Sequence, residues 1–98
     1  MNIQNHNNKI LCNPSSIEDI EAMSHLSELK TVNDIIVDLV DLHRIEEQKL
    51  FSSCKSMIVG LLIDMMTKGK NVVIMFLDHS GSFQIVGGVV NYLNYLNA

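Results

Sequence analysis

The sequence has no tryptophan, one proline and two cysteines among its 98 residues. Three phenylalanines and two tyrosines are too few to fill a core, so we expect the core to consist mostly of aliphatic residues and the six methionines. Cys12 and Cys54 lie far apart and have neither a CxxC nor a metal-type spacing. Because such a pair is typical of free thiols in a reducing compartment, we expect a cytoplasmic protein.

Positive charge is also scarce. Seven lysines and arginines are scattered singly among eleven acidic residues, which gives a net charge of −4. A basic stripe that could follow a phosphate backbone is absent, so nucleic acid is disfavoured as a partner. The most apolar runs, residues 57–66 and 72–77, are too short to span a bilayer, and the first residues lack the apolar core of a signal peptide. We therefore expect no membrane partner.

Hydrophobic residues make up 47% of the chain, enough for one core in a single domain. Residues 1–13 are rich in asparagine and are predicted to be a flexible N-terminal segment, followed by one domain over residues 14–98. The first predicted helix covers residues 14–30. Ser15 and Glu18 have the spacing of a capping box ahead of an apolar stripe with helical periodicity.

A second, long helix is predicted over residues 32–68. Thr31 with Asp34 is a start signal, and Gly69 after Lys68 is a stop signal. An unbroken helix of this length would extend about 55 Å, whereas a domain of this size is only about 35 Å across. The helix must therefore bend or break, with the polar residues 43–49 as the favoured place, or protrude towards a partner.

The last third of the chain has strand periodicity. Residues 72–77 are continuously apolar, residues 83–88 alternate, and the turn residues 78–82 separate them, which predicts a β-hairpin. A short amphipathic helix follows over residues 89–97. The predicted fold is α+β: two N-terminal helices, the second long and possibly bent, one antiparallel hairpin and a C-terminal helix.

The predicted hairpin lacks a neighbour. Strand 72–77 is apolar on both faces, and neither predicted strand carries a charge or a proline to protect its edge. A two-stranded hairpin alone is marginal in water. We therefore expect a second chain to complete the sheet in a homodimer or higher oligomer; the alternative is that the helices of one chain cover the hairpin.

Few residues suggest chemistry. Asp78, His79 and Ser80 resemble a triad only in composition, because neighbours in one turn point in different directions and catalytic triads are assembled from distant residues. His43 has no second histidine at metal-binding spacing. Asp64 interrupts an apolar helix and is expected to face solvent, or to cap or pair near Lys68 at i+4, rather than to act as a buried functional carboxylate. We predict no catalytic, cofactor-binding or metal-binding residue and no small-molecule substrate.

These patterns favour a small non-enzymatic, self-associating protein-interaction domain, such as an adaptor, a chaperone or an inhibitor of another protein. The alternative is a small dimeric transcriptional or nucleic-acid-associated regulator of phage or island origin, since ten asparagines and eleven isoleucines suggest an AT-rich gene. A third hypothesis is a small enzyme or ligand-binding domain with a site near the hairpin and Asp64, which requires a deep pocket with a strongly perturbed carboxylate or histidine. The predicted interaction surface consists of apolar residues of the long helix and the hairpin: Leu50, Cys54, Met57, Ile58, Leu61, Met65, Val73, Met75, Leu77, Phe83 and Ile85.

Overall fold

A five-stranded mixed sheet and three α-helices form the fold in a computed structural model that describes residues 1–44 and 47–97. In chain order the elements are β1 (Asn2–His6), β2 (Lys9–Asn13), α1 (Ile17–Met23), β3 (Asp34–Asp38), α2 (Gln48–Thr67), β4 (Asn71–Leu77), β5 (Phe83–Gly87) and α3 (Val89–Leu96). A short 3-10 turn, Leu26–Glu28, follows α1.

The strands lie in the sheet in chain order, β1-β2-β3-β4-β5. β2, β3 and β4 are parallel to one another, and an antiparallel strand flanks them on each side. α1 connects β2 to its parallel neighbour β3, and α2 connects β3 to its parallel neighbour β4. Both connections move in the same direction across the sheet. Because such crossovers are right-handed, both helices lie on the same face. α3 joins them there, where the Tyr92 ring contacts Phe76 with ring centroids 5.2 Å apart.

The predicted order of two helices before one hairpin is wrong. Residues 34–38, assigned to the long helix, form β3, and the helix begins only at Gln48. In this strand Ile35 and Val37 are fully buried, and the residues between them are half-buried. The apolar spacing of this region fits a helix as well as a strand, so pairing with β2 and β4 decides between them.

The second correction concerns residues 1–13, which were predicted to be a flexible segment. They contain β1 and β2, joined by a tight turn in which Asn7 has a φ of 56°. β2 is an inner strand of the sheet, and Ile10 and Cys12 are buried in the core. Abundant asparagine suits the turn and the edge strand, but it hid the alternation of the inner strand.

The third correction concerns the neighbour that the hairpin was expected to lack. β4 lies between β3 and β5, so its partner comes from the same chain and no second chain completes its pairing. The sequence around β4 does not reveal its parallel neighbour β3, because a whole helical connection separates the two strands along the chain.

Other expectations are met within this different fold. The hairpin of β4 and β5 and the helix α3 occur where the sequence predicts them. α2 ends with Lys68 as its C-cap, followed by Gly69 with a φ of 79°. At α1 the N-cap is Ser16 rather than Ser15, and its side-chain oxygen accepts a hydrogen bond from the backbone N–H of Asp19. α2 spans about 30 Å, which fits a molecule 36 Å long.

The core lies between the helical layer and one face of the sheet. The sheet contributes alternate residues of its three parallel strands, and each helix contributes one stripe. The buried strand residues are Ile10, Cys12, Ile35, Val37, Val72, Ile74 and Phe76, and the buried α-helix residues are Ile20, Met23, Cys54, Ile58, Leu62, Met65, Val89 and Tyr92.

Candidate functional site: an uncovered apolar sheet face

The opposite face of the sheet has no helix over it among the described residues, because α1, α2 and α3 all lie on the other side. Strand alternation places a second set of apolar side chains there, and the register aligns them across neighbouring strands. We call this set the outer face: Leu11, Ile36, Val73, Met75, Leu77, Phe83 and Ile85.

Exposure increases across the outer face towards β5. Ile36, Val73 and Met75, on the two central strands, are half-buried by their neighbours in the sheet. On β5, the Phe83 side chain is 51% exposed and that of Ile85 is 60% exposed, the highest value among the large apolar residues of the described chain. The largest apolar patch on a soluble protein is often functional, so the outer face is a candidate interaction site.

Polar side chains border the outer face and hydrogen-bond within the chain. The Asp38 carboxylate accepts hydrogen bonds from the Asn13 side chain at 3.2 Å and from the backbone N–H of Val40 at 3.0 Å. At the opposite end of the strands, Asn71 donates to the Asp34 carboxylate at 3.1 Å. A partner can therefore approach the apolar centre without leaving these border groups unpaired.

The eleven residues of the predicted interaction surface divide by element. All five hairpin residues, Val73, Met75, Leu77, Phe83 and Ile85, lie together on the outer face. Of the helix residues, Cys54, Ile58 and Met65 are buried in the core, Leu50 and Leu61 are half-buried against it, and Met57 is exposed on the opposite side of the molecule. The buried three are not available to a partner.

Sequence reasoning missed Leu11 and Ile36, which extend the outer face across β2 and β3. The signal was present in two short segments, KILCN and DIIVD, in which every second residue is buried. Asparagines around the first segment and a helix-compatible pattern around the second obscured that alternation.

The bend between β4 and β5 is a hydrogen-bonded turn. The Asp78 carboxylate accepts from the backbone N–H groups of Ser80 and Ser82, both at 2.9 Å, and from the Gln84 side chain at 2.9 Å. Hydrogen bonds from Ser80 and Ser82 lower the pKa of Asp78 to about 2. With its oxygens engaged in this way, the carboxylate stabilises the turn and does not orient His79 as a base.

His43 occupies a structural position that the sequence did not indicate. Its Nε2 atom lies 2.8 Å from the Tyr92 hydroxyl, and its ring centroid lies 4.3 Å from that of Phe51. Burial and the nearby His79 lower the pKa of His43 to about 4, against the opposing effect of a hydrogen bond with the Leu77 carbonyl. Which of Nε2 and the Tyr92 hydroxyl donates depends on the tautomer of the ring. The neutral ring thus links three elements.

Asp64 lies far from the hairpin bend, near the other end of α2. Its Oδ2 atom is 3.2 Å from the Lys68 Nζ atom, as the i+4 spacing predicts, and it accepts a hydrogen bond from the Ser27 hydroxyl at 2.6 Å. Both interactions lower the pKa of Asp64. This carboxylate therefore joins α2 to the 3-10 turn and does not face a cavity at the bend.

The lysines that a nucleic-acid-binding dimer would need are far apart or already bonded. Lys49 and Lys68 lie at opposite ends of α2, about 28 Å apart. Lys68 is paired with Asp64, and Lys70 Nζ donates to two backbone carbonyls at 2.7 Å. One chain thus presents no continuous basic surface along this helix.

Metal and membrane binding receive little support from the described residues. None of them form a group of three or more His, Cys, Asp or Glu that could hold a metal ion. α2 is long and apolar enough to cross a membrane by length and composition, a test that core helices of folded domains also pass. Comparisons with protein-family models, with curated proteins and with solved structures found no match to this chain.

Proposed function

We propose that this chain is a small, non-enzymatic, cytoplasmic protein-interaction domain that self-associates through the outer face. The observation that carries the proposal is a set of apolar rows on a face without a covering layer in the described chain. Leu11, Ile36 and Val73 align across three strands, and the neighbouring rows pair Met75 with Ile85 and Leu77 with Phe83.

A second copy is the occupant that the dimensions favour. The outer face is four strands wide, with strands about 4.8 Å apart, and five residues long along β4. With the width of the side chains included, its apolar area is about 400 Å². Two such faces would bury about 800 Å², and the polar border raises the total towards about 1,200 Å². That is the lower end of the range for specific interfaces, so we expect a dimer of moderate affinity.

The chemistry of the outer face also suits an isologous contact, in which the same patch meets itself across a two-fold axis. None of its residues is charged, and the Asp38 carboxylate, which lies opposite Met75 in the register, is already hydrogen-bonded. Two sheets can stack about 10 Å apart with their strands crossed by about 30°. Apolar side chains then interdigitate without burying an unpaired ion.

The test is the change in self-association when a charge is placed on the outer face. Ile85→Lys should lower the association constant at least about tenfold, because a lysine ammonium would lose water in the interface. Ile63→Lys is the matched control, since Ile63 is 38% exposed on α2, on the opposite side of the molecule. Sedimentation equilibrium of the full chain, with circular dichroism to confirm folding, measures both effects.

Two results would contradict the proposal. One is a wild-type chain that stays monomeric at concentrations well above micromolar. The other is equal weakening by Ile85→Lys and Ile63→Lys, which would indicate a general effect of charge. A dimer that loses affinity only with the outer-face variant supports it.

A further inference from the structure

A crevice of about 580 Å³ opens at the end of the sheet where β3 and β4 finish. It lies between the β3–α2 connection, the start of α2, the β4–β5 turn and the end of α3. Its volume falls within the range of small-molecule sites. The crevice meets the outer face at Leu77, but its other lining residues lie outside that face.

The rim of the crevice carries positive charge in a chain whose net charge is −4. Gln48, Ser52 and Lys55 line it from α2, where their i, i+4 and i+7 spacing puts them on one face of the helix. Arg44 lines the opposite part of the rim and is held 3.3 Å from the Asp41 carboxylate. Of the described residues, none forms an ion pair with Lys55, so its charge is available to a ligand.

The acidic residue of the rim is already engaged. Asp78 is the one carboxylate among the lining residues that the structure describes, and it accepts hydrogen bonds from Ser80, Ser82 and Gln84. The carboxylate keeps its charge, and these hydrogen bonds hold it against the turn. The Lys55 ammonium, which has no ion pair among the described residues, is therefore the group that an anion in the crevice would contact.

The floor of the crevice is apolar and aromatic. Phe51 and Leu77 are half-buried within it, and Tyr95 stands at its side. The Tyr95 ring stacks on His79 with centroids 5.3 Å apart and an interplanar angle of 27°. The Phe76 ring lies 4.6 Å beyond, so these rings form a packed surface on which a planar group can rest.

We propose that the crevice binds a small organic anion, with a phosphate or carboxylate group against the Lys55 ammonium and a planar ring against Phe51 and Tyr95. Both halves of the site are needed for this specificity. The charge selects anions, and the aromatic floor selects those that carry a ring.

Phenyl phosphate is the probe that combines both features. We expect saturable shifts of the Phe51 and Tyr95 ring resonances in NMR titrations of the full-length chain. Benzyl alcohol and inorganic phosphate each supply only one feature and should bind at least about tenfold more weakly. Lys55→Gln should weaken phenyl phosphate binding by a similar factor.

Lys49→Gln is the matched control, because Lys49 lies on the same helix, carries the same charge and does not line the crevice. It should leave phenyl phosphate binding nearly unchanged. The proposal is overturned by shifts that do not saturate, by shifts centred on the outer face, or by equal losses in the two lysine variants.

Discussion

At the scale of single residues, His43 shows how position changes chemistry. An exposed histidine is half-protonated near pH 6.5. Burial lowers the pKa of His43 to about 4, and the neutral ring packs on Phe51 and shares a hydrogen bond with the Tyr92 hydroxyl. The sequence places His43 in a polar segment and indicates a solvated helix face. Its burial depends on α3 and β4, which are remote in sequence and could not be inferred locally.

The pH dependence of stability follows from this pKa. The unfolded chain binds a proton at His43 below about pH 6.5, whereas the folded chain binds it only below about pH 4. The free energy of unfolding should therefore fall as the pH drops from 6.5 to 4. Urea unfolding at several pH values measures this slope, and His43→Gln should flatten it.

His25→Gln is the control, since His25 is exposed in the turn after α1. It should leave the slope unchanged. Asp19 and Asp78 affect the stability only at lower pH, because hydrogen bonds lower the pKa of each carboxyl from 3.8 to about 2. An unaltered slope in the His43 variant would show that this ring titrates freely in the folded protein.

At the scale of elements, β2 and β3 show why the predicted fold was wrong. Each strand has five residues, and only two of them are buried. A segment this short shows too little periodicity to distinguish a strand from a helix or a loop. Their strand conformation depends on hydrogen bonds with each other and with β4. The hairpin of β4 and β5 was predictable because its turn and both strands are contiguous.

The corrected position of β2 makes a quantitative prediction. Ile10→Ala should reduce the free energy of unfolding by about 2 to 5 kcal/mol, because the residue is 3% exposed in the core. Ile3→Ala, on the edge strand β1 at 47% exposure, should cost about 1 kcal/mol or less. Urea unfolding curves provide both values. Equal, small costs would mean that residues 1–13 do not pack as an inner part of the sheet.

At the scale of the whole molecule, the sheet has one face covered by helices and one face open. Right-handed crossovers in a single direction place α1 and α2 on the same side, and α3 packs there through Tyr92 on Phe76. The outer face results from this arrangement. A sequence pattern can show that a strand is apolar on both faces. It cannot show which face the helices take or which other strands extend the remaining one.

The two thiols report on the integrity of this fold. Cys12 and Cys54 are 0% and 1% exposed, and burial raises the pKa of Cys12 to about 12. Neither should react with a disulfide reagent until the molecule unfolds, because the thiolate is the reactive form. Stopped-flow absorbance should therefore give a reaction rate that rises with urea as unfolding does. Rapid modification of one thiol in the native protein would contradict the buried position of β2 or α2.

The sequence by itself determined the hairpin of β4 and β5 with its Asp78 turn, and the apolar faces of its strands. It also determined the helix end at Gly69 and the pairing of Asp64 with Lys68. Each depends on residues within one short segment, where spacing and turn chemistry suffice. Tertiary structure decided the strand identity of β2 and β3, the burial of His43 and the one-sided placement of the helices. Those features arise from contacts between distant segments, and the outer face and the crevice both result from them.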